Sequence, residues 1–319
     1  STPIKSSAAS DVYKRQVNVL SSMIFAGISG SAVADTAGVS GMFMPEMVRK
    51  GYSKNFTVAV TAISSTIGII IPPSIPMVVI AGICGISTGK LFLGGIIPGV
   101  LCGLAQMIVS YFMAKKEGVP KEPGHFTIGP MLHGLWESWP ALLMPIIIVG
   151  TITMGIVSPT EAGVIAVVYG LFAGGIIYRE LKWEDIKFAF AETVRTSGRI
   201  FIVIGAAKLY TVMLTTAGFD KWVAKTMLGF STNPTVILIV ILLIFFIVTM
   251  FMESIATLTL FMPILYPIAL GVGINPIVLS VLITVVIGVG LVTPPVGMCI
   301  YVACDLMDVT VGEVFPTLV

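Results

Sequence analysis

Charge is what this chain has least of. Eighteen Lys and Arg and sixteen Asp and Glu make up 11% of 319 residues, where soluble domains carry about a quarter. So little polar surface cannot cover a water-soluble core. The net charge of +2 provides no basic face for nucleic acid. Histidine is down to two residues, His125 and His133, both in the polar stretch 115–138. No histidine base therefore stands inside an apolar segment. The Gly-x-Ser-Gly of "GISGS" (27–31) then lacks the partner that an intramembrane serine protease needs. Four cysteines (Cys84, Cys102, Cys299, Cys304) are scattered through or beside apolar segments. No pair has metal-ligand spacing, and they read as small buried residues. A Gly-x-x-x-x-Gly-Lys loop is missing, so this chain does not itself couple nucleotide hydrolysis to work.

What is present is oil. Hydrophobic residues reach 56% and the mean hydropathy is +1.03. They come in blocks of roughly 15–25, the length that crosses a bilayer as a helix. The blocks are solidly apolar rather than alternating, which excludes a β-barrel. The fold class expected is an all-α polytopic membrane protein with the lipid bilayer as its solvent. The first sixteen residues, "STPIKSSAASDVYKRQ", are polar, match nothing that follows, and are set aside as foreign. The chain is read as a fragment of a longer protein, with 308–319 the start of a truncated segment.

Apolar segments are expected at about 17–30, 33–48, 55–70, 74–88, 91–114, 140–157, 161–178, 198–216, 235–251, 254–270, 276–291 and 295–307. Several are too short to span alone. They are separated by breaks: "GISGS", "SSTIGIIIPPS", "MFMES" and "GVGLVTPPVG". Two stretches, 183–196 and 219–229, are amphipathic and suit an interface. The breaks repeat in order. "FMPEM" (43–47) matches "FMPIL" (261–265). Asp35 precedes Pro45 by ten residues, as Glu253 precedes Pro263. "IGIIIPPSIPM" (67–77) matches "IGVGLVTPPVGM" (287–298). This divides the chain into a first half at 17–90, intervening helices, linker and amphipathic arms at 91–233, and a second half at 234–307.

Arg49, Lys50 and Lys54, then Lys115, Lys116 and Lys121, then Arg179, Lys182 and Lys187 mark three loops as cytoplasmic. Counting crossings between them closes when 17–48 and 235–270 are treated as re-entrant helical hairpins entering from opposite sides. The halves are then inverted-topology repeats, each a hairpin plus a broken helix, as in secondary transporters. Broken helix is tolerated at membrane depth only where it is buried or lines a polar cavity. Freed carbonyls and hydroxyls there suit a hard cation such as Na⁺, and half-helix N-termini suit an anion. An ion channel would also use broken helices, but paired inverted tips favour alternating access.

The run "GSAVADTAGVSGMFMPEMVRKGYSKNFTVAVTAISSTIGIIIPPSIPMVV" resembles the large (DctM-type) membrane subunit of tripartite ATP-independent periplasmic (TRAP) transporters. So do "SPTEAGVIAVVYG" (158–170), "TMFMESIATLTLFMPI" (249–264) and "TPPVGMCIYVA" (293–303). The resemblance covers about 17–313. It implies an elevator-type importer in the bacterial inner membrane, coupled to Na⁺. The substrates implied are small organic acids, C4-dicarboxylate or sialic-acid-like. It also implies two partners, a small membrane subunit and a periplasmic substrate-binding protein. A related Na⁺/carboxylate symporter without a binding protein is the alternative. Two Na⁺ zones carry over by motif. The first joins Ser29, Gly30 and Ser31 to Ser64, Ser65 and Gly68. The second joins Ser254 and Thr257 to Gly288, Gly290, Thr293 and the Met298 backbone. This chain has Glu253 where the family commonly has Asp.

Several of these residues have a plainer reading. Asp35 and Glu253 are read first as caps or structural supports of the second helix of each hairpin, with cation ligation as the alternative. Ser64, Ser65 and Thr293 often bond back to helical carbonyls, yet the adjoining Gly and Pro-Pro favour a site. Lys208, inside "IVIGAAKLYTVM", reads as a snorkelling lysine before a substrate ligand. "SPTE" reads as an N-cap with Pro in the first turn.

Overall fold

The structure is a computed structural model that describes residues 14–116 and 128–318. Regular structure among these residues is helical throughout. A first hairpin is made by α1 (Lys14–Ser29) and α2 (Ala32–Arg49). Next, α3 (Lys54–Ser65) passes into a 3₁₀ turn (Thr66–Ile69), and α4 (Ile75–Cys84) resumes after Pro72–Pro73. Then come α5 (Thr88–Lys116), α6 (Ile128–Thr153), α7 (Pro159–Phe172) with a π turn (Ala173–Ile177), α8 (Trp183–Thr216) and α9 (Phe219–Phe230). A second hairpin is made by α10 (Pro234–Thr249) and α11 (Ser254–Gly271). A second interrupted helix, α12 (Pro276–Gly290) and α13 (Met298–Met307), leads to α14 (Val311–Leu318).

Local chemistry sets these boundaries. Ser31, Ser53 and Ser74 each turn a hydroxyl onto a first-turn N–H of α2, α3 and α4. Asn233 and Asn275 cap α10 and α12, each followed by proline at the first helical position. A side-chain acceptor satisfies an N–H that the helix leaves orphaned, and proline has no N–H to satisfy. Ser158 and Glu161 form a reciprocal capping box at the start of α7, with Pro159 in its first turn.

Among the described residues, four helices are long and apolar enough to cross a membrane: Thr88–Met113, Pro159–Ile177, Trp183–Thr216 and Ser254–Gly271. They differ in what they face. Over half of the Ser254–Gly271 stretch is buried inside the protein, while the most apolar stretch of α8 is almost wholly outward. Phe201, Ile202, Leu209 and Met213 of α8 are all exposed. An apolar helix that presents such residues to the outside is suited to lipid or to a partner helix.

The halves interlock. The second hairpin helix of each packs on the second half-helix of the other, α2 on α13 and α11 on α4. The helix after each interrupted segment crosses over too: α5 lies on α12, and α14 lies on α3. Lys54 Nζ donates to the Met307 carbonyl at 3.2 Å and Asn55 Nδ2 to the Glu313 carbonyl at 3.0 Å, holding the start of α3 against the C-terminal helices. Inside the first half, Asn18 Nδ2 donates to Thr61 Oγ1 at 2.8 Å, and the Ser22 and Ser64 hydroxyls pair at 2.9 Å. Gly95 and Gly99 allow α5 to press on the first break, since a Cβ would stand 2.8 Å from the Ile70 carbonyl and 2.5 Å from Ile71 Cγ1.

The structure departs from the expected segments in three places. The amphipathic stretch 183–196 and the apolar 198–216 are one helix, α8, that runs straight through Gly198. The break follows at Gly218, in the left-handed region at φ 76°. The linker shrinks, because α6 starts at Ile128 and carries the backbone of His133; His125 lies outside the described residues. Lys14–Gln16 begin α1 although the first sixteen residues were set aside, and residues 1–13 lie outside the described residues. The C-terminal segment forms a short helix, α14, whose Val314 is buried beside Met44 and Ile300.

Candidate functional site

Each hairpin tip is tied by one backbone hydrogen bond to the break of its own half. Ile75 N–H, at the start of α4, donates to the Gly30 carbonyl at 3.1 Å. Val296 N–H, just before α13, donates to the Met250 carbonyl at 3.1 Å. Gly30 has to be glycine. Its φ is 65°, and a Cβ would stand 2.7 Å from the Pro73 carbonyl oxygen. The two breaks also meet, since Gly288 faces Thr66 at van der Waals distance.

Behind the first tip, Asp35 is fully buried. The cap of α2 is Ser31, accepting from Ala34 N–H at 3.4 Å, which leaves Asp35 the supporting half of the expectation. Asp35 instead points one carboxylate oxygen back to the tip, where the Ser29 hydroxyl donates to Oδ1. The other oxygen, Oδ2, is buried with no hydrogen-bond partner among the described residues. It lies against Gly68 in the 3₁₀ turn, where a Cβ would overlap it. A buried carboxylate oxygen with no donor is costly, and a cation lodged between tip and break would satisfy it. The chemistry of Ser29, Gly30, Ser31, Ser64, Ser65 and Gly68 fits such an ion: hydroxyls, carbonyls and a neighbouring carboxylate, all hard oxygen donors.

The hydroxyls of the breaks are committed as donors. Ser64 and Ser65 donate to the Thr61 carbonyl at 3.1 and 2.7 Å, and Thr293 Oγ1 donates to the Val289 carbonyl at 2.6 Å. The adjoining Gly and Pro-Pro do not prevent this back-bonding, contrary to the expectation. A donating hydroxyl still has lone pairs free to face a cation. At the second tip, Glu253 caps α11: Oε2 accepts from Ile255 N–H at 2.8 Å and Ala256 N–H at 3.4 Å. Thr257 is buried and donates to the Glu253 carbonyl at 3.0 Å, and Ser254 is buried beside it. Gly290 is pressed on Thr249, whose hydroxyl a Cβ would overlap.

Between the tips lies a cavity of about 450 Å³. Four helix starts line it: Ser31–Ala32 of α2, Ile75–Pro76 of α4, Ser254 of α11 and Met298 of α13. Helix N-termini carry partial positive charge, so their convergence favours an anion. The cavity is also walled by α8, which contributes Thr196, Arg199, Ile200 and Val203. Arg199 is the cation facing this space; Lys208, two turns on, is exposed and does not line it. Of the expected site residues, Gly30, Ser31, Glu253, Ser254 and Met298 line the cavity, while Ser29, Asp35 and Gly68 cluster behind its first tip. Arg199, Asn18, Ser22 and Thr249 were not anticipated. The one visible signal for Arg199 was an arginine at the threshold of the apolar run "IFIVIGAA".

Gly68→Ala is expected to force the Asp35 carboxylate out of its place. Overpacking of this kind costs about 1–3 kcal/mol, so thermal unfolding should show a lowered midpoint. Gly82→Ala, with nothing within 4 Å of its Cβ, serves as the control. Equal midpoints for the two variants would contradict this contact.

The family profile described as tripartite ATP-independent periplasmic transporter, DctM component, matches residues 14–319. The chain is 37% identical to the isethionate TRAP transporter permease protein DctMQ of Oleidesulfovibrio alaskensis, over 91% of this chain and 46% of that protein. It is 35% identical to the sialic acid TRAP transporter large permease protein SiaM of Vibrio cholerae, over 92% of this chain and 68% of that one. It is 34% identical to the C4-dicarboxylate TRAP transporter large permease protein DctM of Pseudomonas aeruginosa, over 92% and 69%. The chain thus spans about half the length of the first of these relatives and about two thirds of the others. With a match over nearly its whole length, and with helical hairpins and interrupted helices around one cavity, the chain belongs to the DctM component family of the tripartite ATP-independent periplasmic transporters.

Proposed function

We propose that this chain is the substrate-translocating part of a Na⁺-coupled importer of small organic acids in the bacterial inner membrane. The cavity between the tips, ringed by four helix starts and Arg199, is the observation that carries this reading. The orphaned Asp35 oxygen between the first tip and Gly68 supports a coupling-ion site behind it. The second ion zone lies by motif at Ser254, Thr257, Gly288, Gly290, Thr293 and Met298. The hairpins are re-entrant and enter from opposite sides, and they move together with the interrupted helices while α6 and α7 stay fixed. The family's tripartite description supports two partners: a small membrane subunit, for which outward apolar faces such as that of α8 are suited, and a periplasmic protein that delivers the acid. No nucleotide is consumed, and the work comes from the ion gradient.

The test uses the complete permease, with its small subunit and binding protein, in proteoliposomes. Uptake of the organic acid is expected only with an inward Na⁺ gradient, and cysteines near Lys50 and Asn233 should label from opposite faces. Uptake that persists with K⁺ replacing Na⁺ would remove the coupling, and labelling from one face would remove the inverted arrangement.

A further inference from the structure

Ser29, Asp35 and Gly68 lie behind the first tip and do not line the cavity between the tips. The tip itself stands in the way. Ile75 N–H holds the Gly30 carbonyl, and Gly30 is pressed on the Pro73 carbonyl. A polar seam leads in the other direction, between α1 and α3. These helices run parallel, since their side-chain pairs advance together: Asn18 with Thr61, then Ser22 with Ser64. Asn18, Ser22 and Ser29 follow one another on α1 at spacings of four and seven residues. Thr57, Thr61, Ser64 and Gly68 follow at four, three and four on α3 and the turn that continues it. These are helical repeats, so each set keeps to one face. We infer that this seam is the route by which the coupling ion reaches and leaves the neighbourhood of Asp35, apart from the cavity the substrate uses. The inference rests on the first ion site proposed above.

From Asn18 to Ser29 the seam is about 16 Å long at 1.5 Å per residue. Asn18, Ser22, Thr57, Thr61 and Ser64 are all buried. Hydrogen bonds between helices are a common way to hold membrane helices together, but that role alone would leave no polar atom over. Here two are left. Asn18 spends its Nδ2 on Thr61 Oγ1 and Met47 Sδ, while its Oδ1 has no partner among the described residues. Thr57 Oγ1, one turn before Thr61, has none either. Buried oxygens of this kind are costly unless water or a cation meets them. The paired Ser22 and Ser64 hydroxyls keep lone pairs that an ion can use in passing. Ala26, small and buried, keeps the α1 side low between Ser22 and Ser29, and Phe25 leans on Gly38 of α2. None of the seam residues is charged, so nothing on the way holds the ion more firmly than Asp35. At the Lys54 end the seam is shut. Met47, which Asn18 touches, packs in one buried cluster with Tyr52 and Phe56, whose rings stack at 5.8 Å. Passage therefore requires α1 to part from α3, and the tip bond at Gly30 can stay closed while it happens.

The experiment uses the complete permease with its small subunit in proteoliposomes, and the probe is a small cationic methanethiosulfonate. Such a reagent attacks the thiolate, which forms where water or polar groups surround the sulfur and not in an apolar setting. Ser22→Cys places a thiol in the seam, and Asn18→Cys is a second variant there should the first fail to fold. Ile24→Cys, on an exposed apolar position of the same helix, is the control, and the parent chain gives the baseline for the native cysteines. With K⁺ replacing Na⁺, the seam cysteines should label at least about tenfold faster than Ile24→Cys, and Na⁺ should slow them. Labelling of Ser22→Cys and Asn18→Cys at the rate of Ile24→Cys overturns the inference. So does fast labelling that Na⁺ leaves unchanged, which would make the seam a path for water alone. In that second case Asp35→Asn tells the two failures apart. A shifted Na⁺ midpoint for transport keeps the ion at Asp35 and rejects only the route, while an unshifted midpoint rejects the ion site itself.

Discussion

Asp35→Asn is expected to shift the Na⁺ midpoint of transport upward by about 100-fold, or to abolish uptake at ordinary Na⁺ concentrations. The amide keeps the size of the carboxylate and an acceptor for the Ser29 hydroxyl, so the first tip should keep its shape. What it removes is the charge at Oδ2, the oxygen left without a partner against Gly68. Interactions with a charged group contribute about 1.5–3 kcal/mol, and the upper part of that range corresponds to two decades in affinity. The measurement is Na⁺-dependent uptake by the complete permease, with the thermal midpoint as a check on folding. A variant that folds normally and shows the wild-type Na⁺ titration would place the coupling ion away from Asp35.

A disulfide between the first hairpin and α6 should stop transport outright. Gly27 on α1 faces Pro145 on α6, and a Cβ at Gly27 would lie 3.1 Å from Pro145 Cβ. Disulfides place their Cβ atoms about 3.5–4.5 Å apart, so Gly27→Cys with Pro145→Cys needs only a small separation of the two helices. If the hairpins travel as one body past a fixed α6, oxidation should reduce uptake to background and dithiothreitol should restore it. Normal uptake by a fully cross-linked population would show that this contact does not slide. A gate or a pore would then describe the protein better than a moving carrier.

The tips and breaks were legible in the sequence because chemistry restricts them. Backbone that leaves the helix at membrane depth needs glycine for unusual φ, proline to end a ladder, and serine, asparagine or glutamate to take up orphaned N–H groups. Those residues stand out in an apolar chain, as at Gly30–Ser31 and Pro72–Pro73. Less legible was where helices do not break. Gly198 reads as a hinge because glycine weakens a helix by about 1 kcal/mol relative to alanine. That cost is small beside a helix of 34 residues, and α8 passes through it. The role of Arg199 was illegible for another reason. It faces the cavity only because α8 packs on α11, a contact between elements far apart in sequence, and no local pattern encodes that. The same holds for Asp35. Its ten-residue spacing to Pro45 marked it as a landmark, but the Gly68 contact that leaves Oδ2 without a donor arises only in the fold.

The crossed packing of the two halves has a consequence for biogenesis. The first half leaves the ribosome with its interrupted segment complete at Cys84, yet α13 and α14, which cover α2 and α3, begin only at Met298 and Val311. At elongation rates of about 5–20 residues per second, the intervening chain of roughly two hundred residues takes about 10–40 s to appear. Throughout that interval Asp35, Ser64 and Thr66 sit in or beside the membrane with part of their final cover unsynthesised. The nascent first half therefore needs a holding environment, a translocon or an insertase that tolerates polar groups, and its exposure time is set by the length of the helices encoded between the halves.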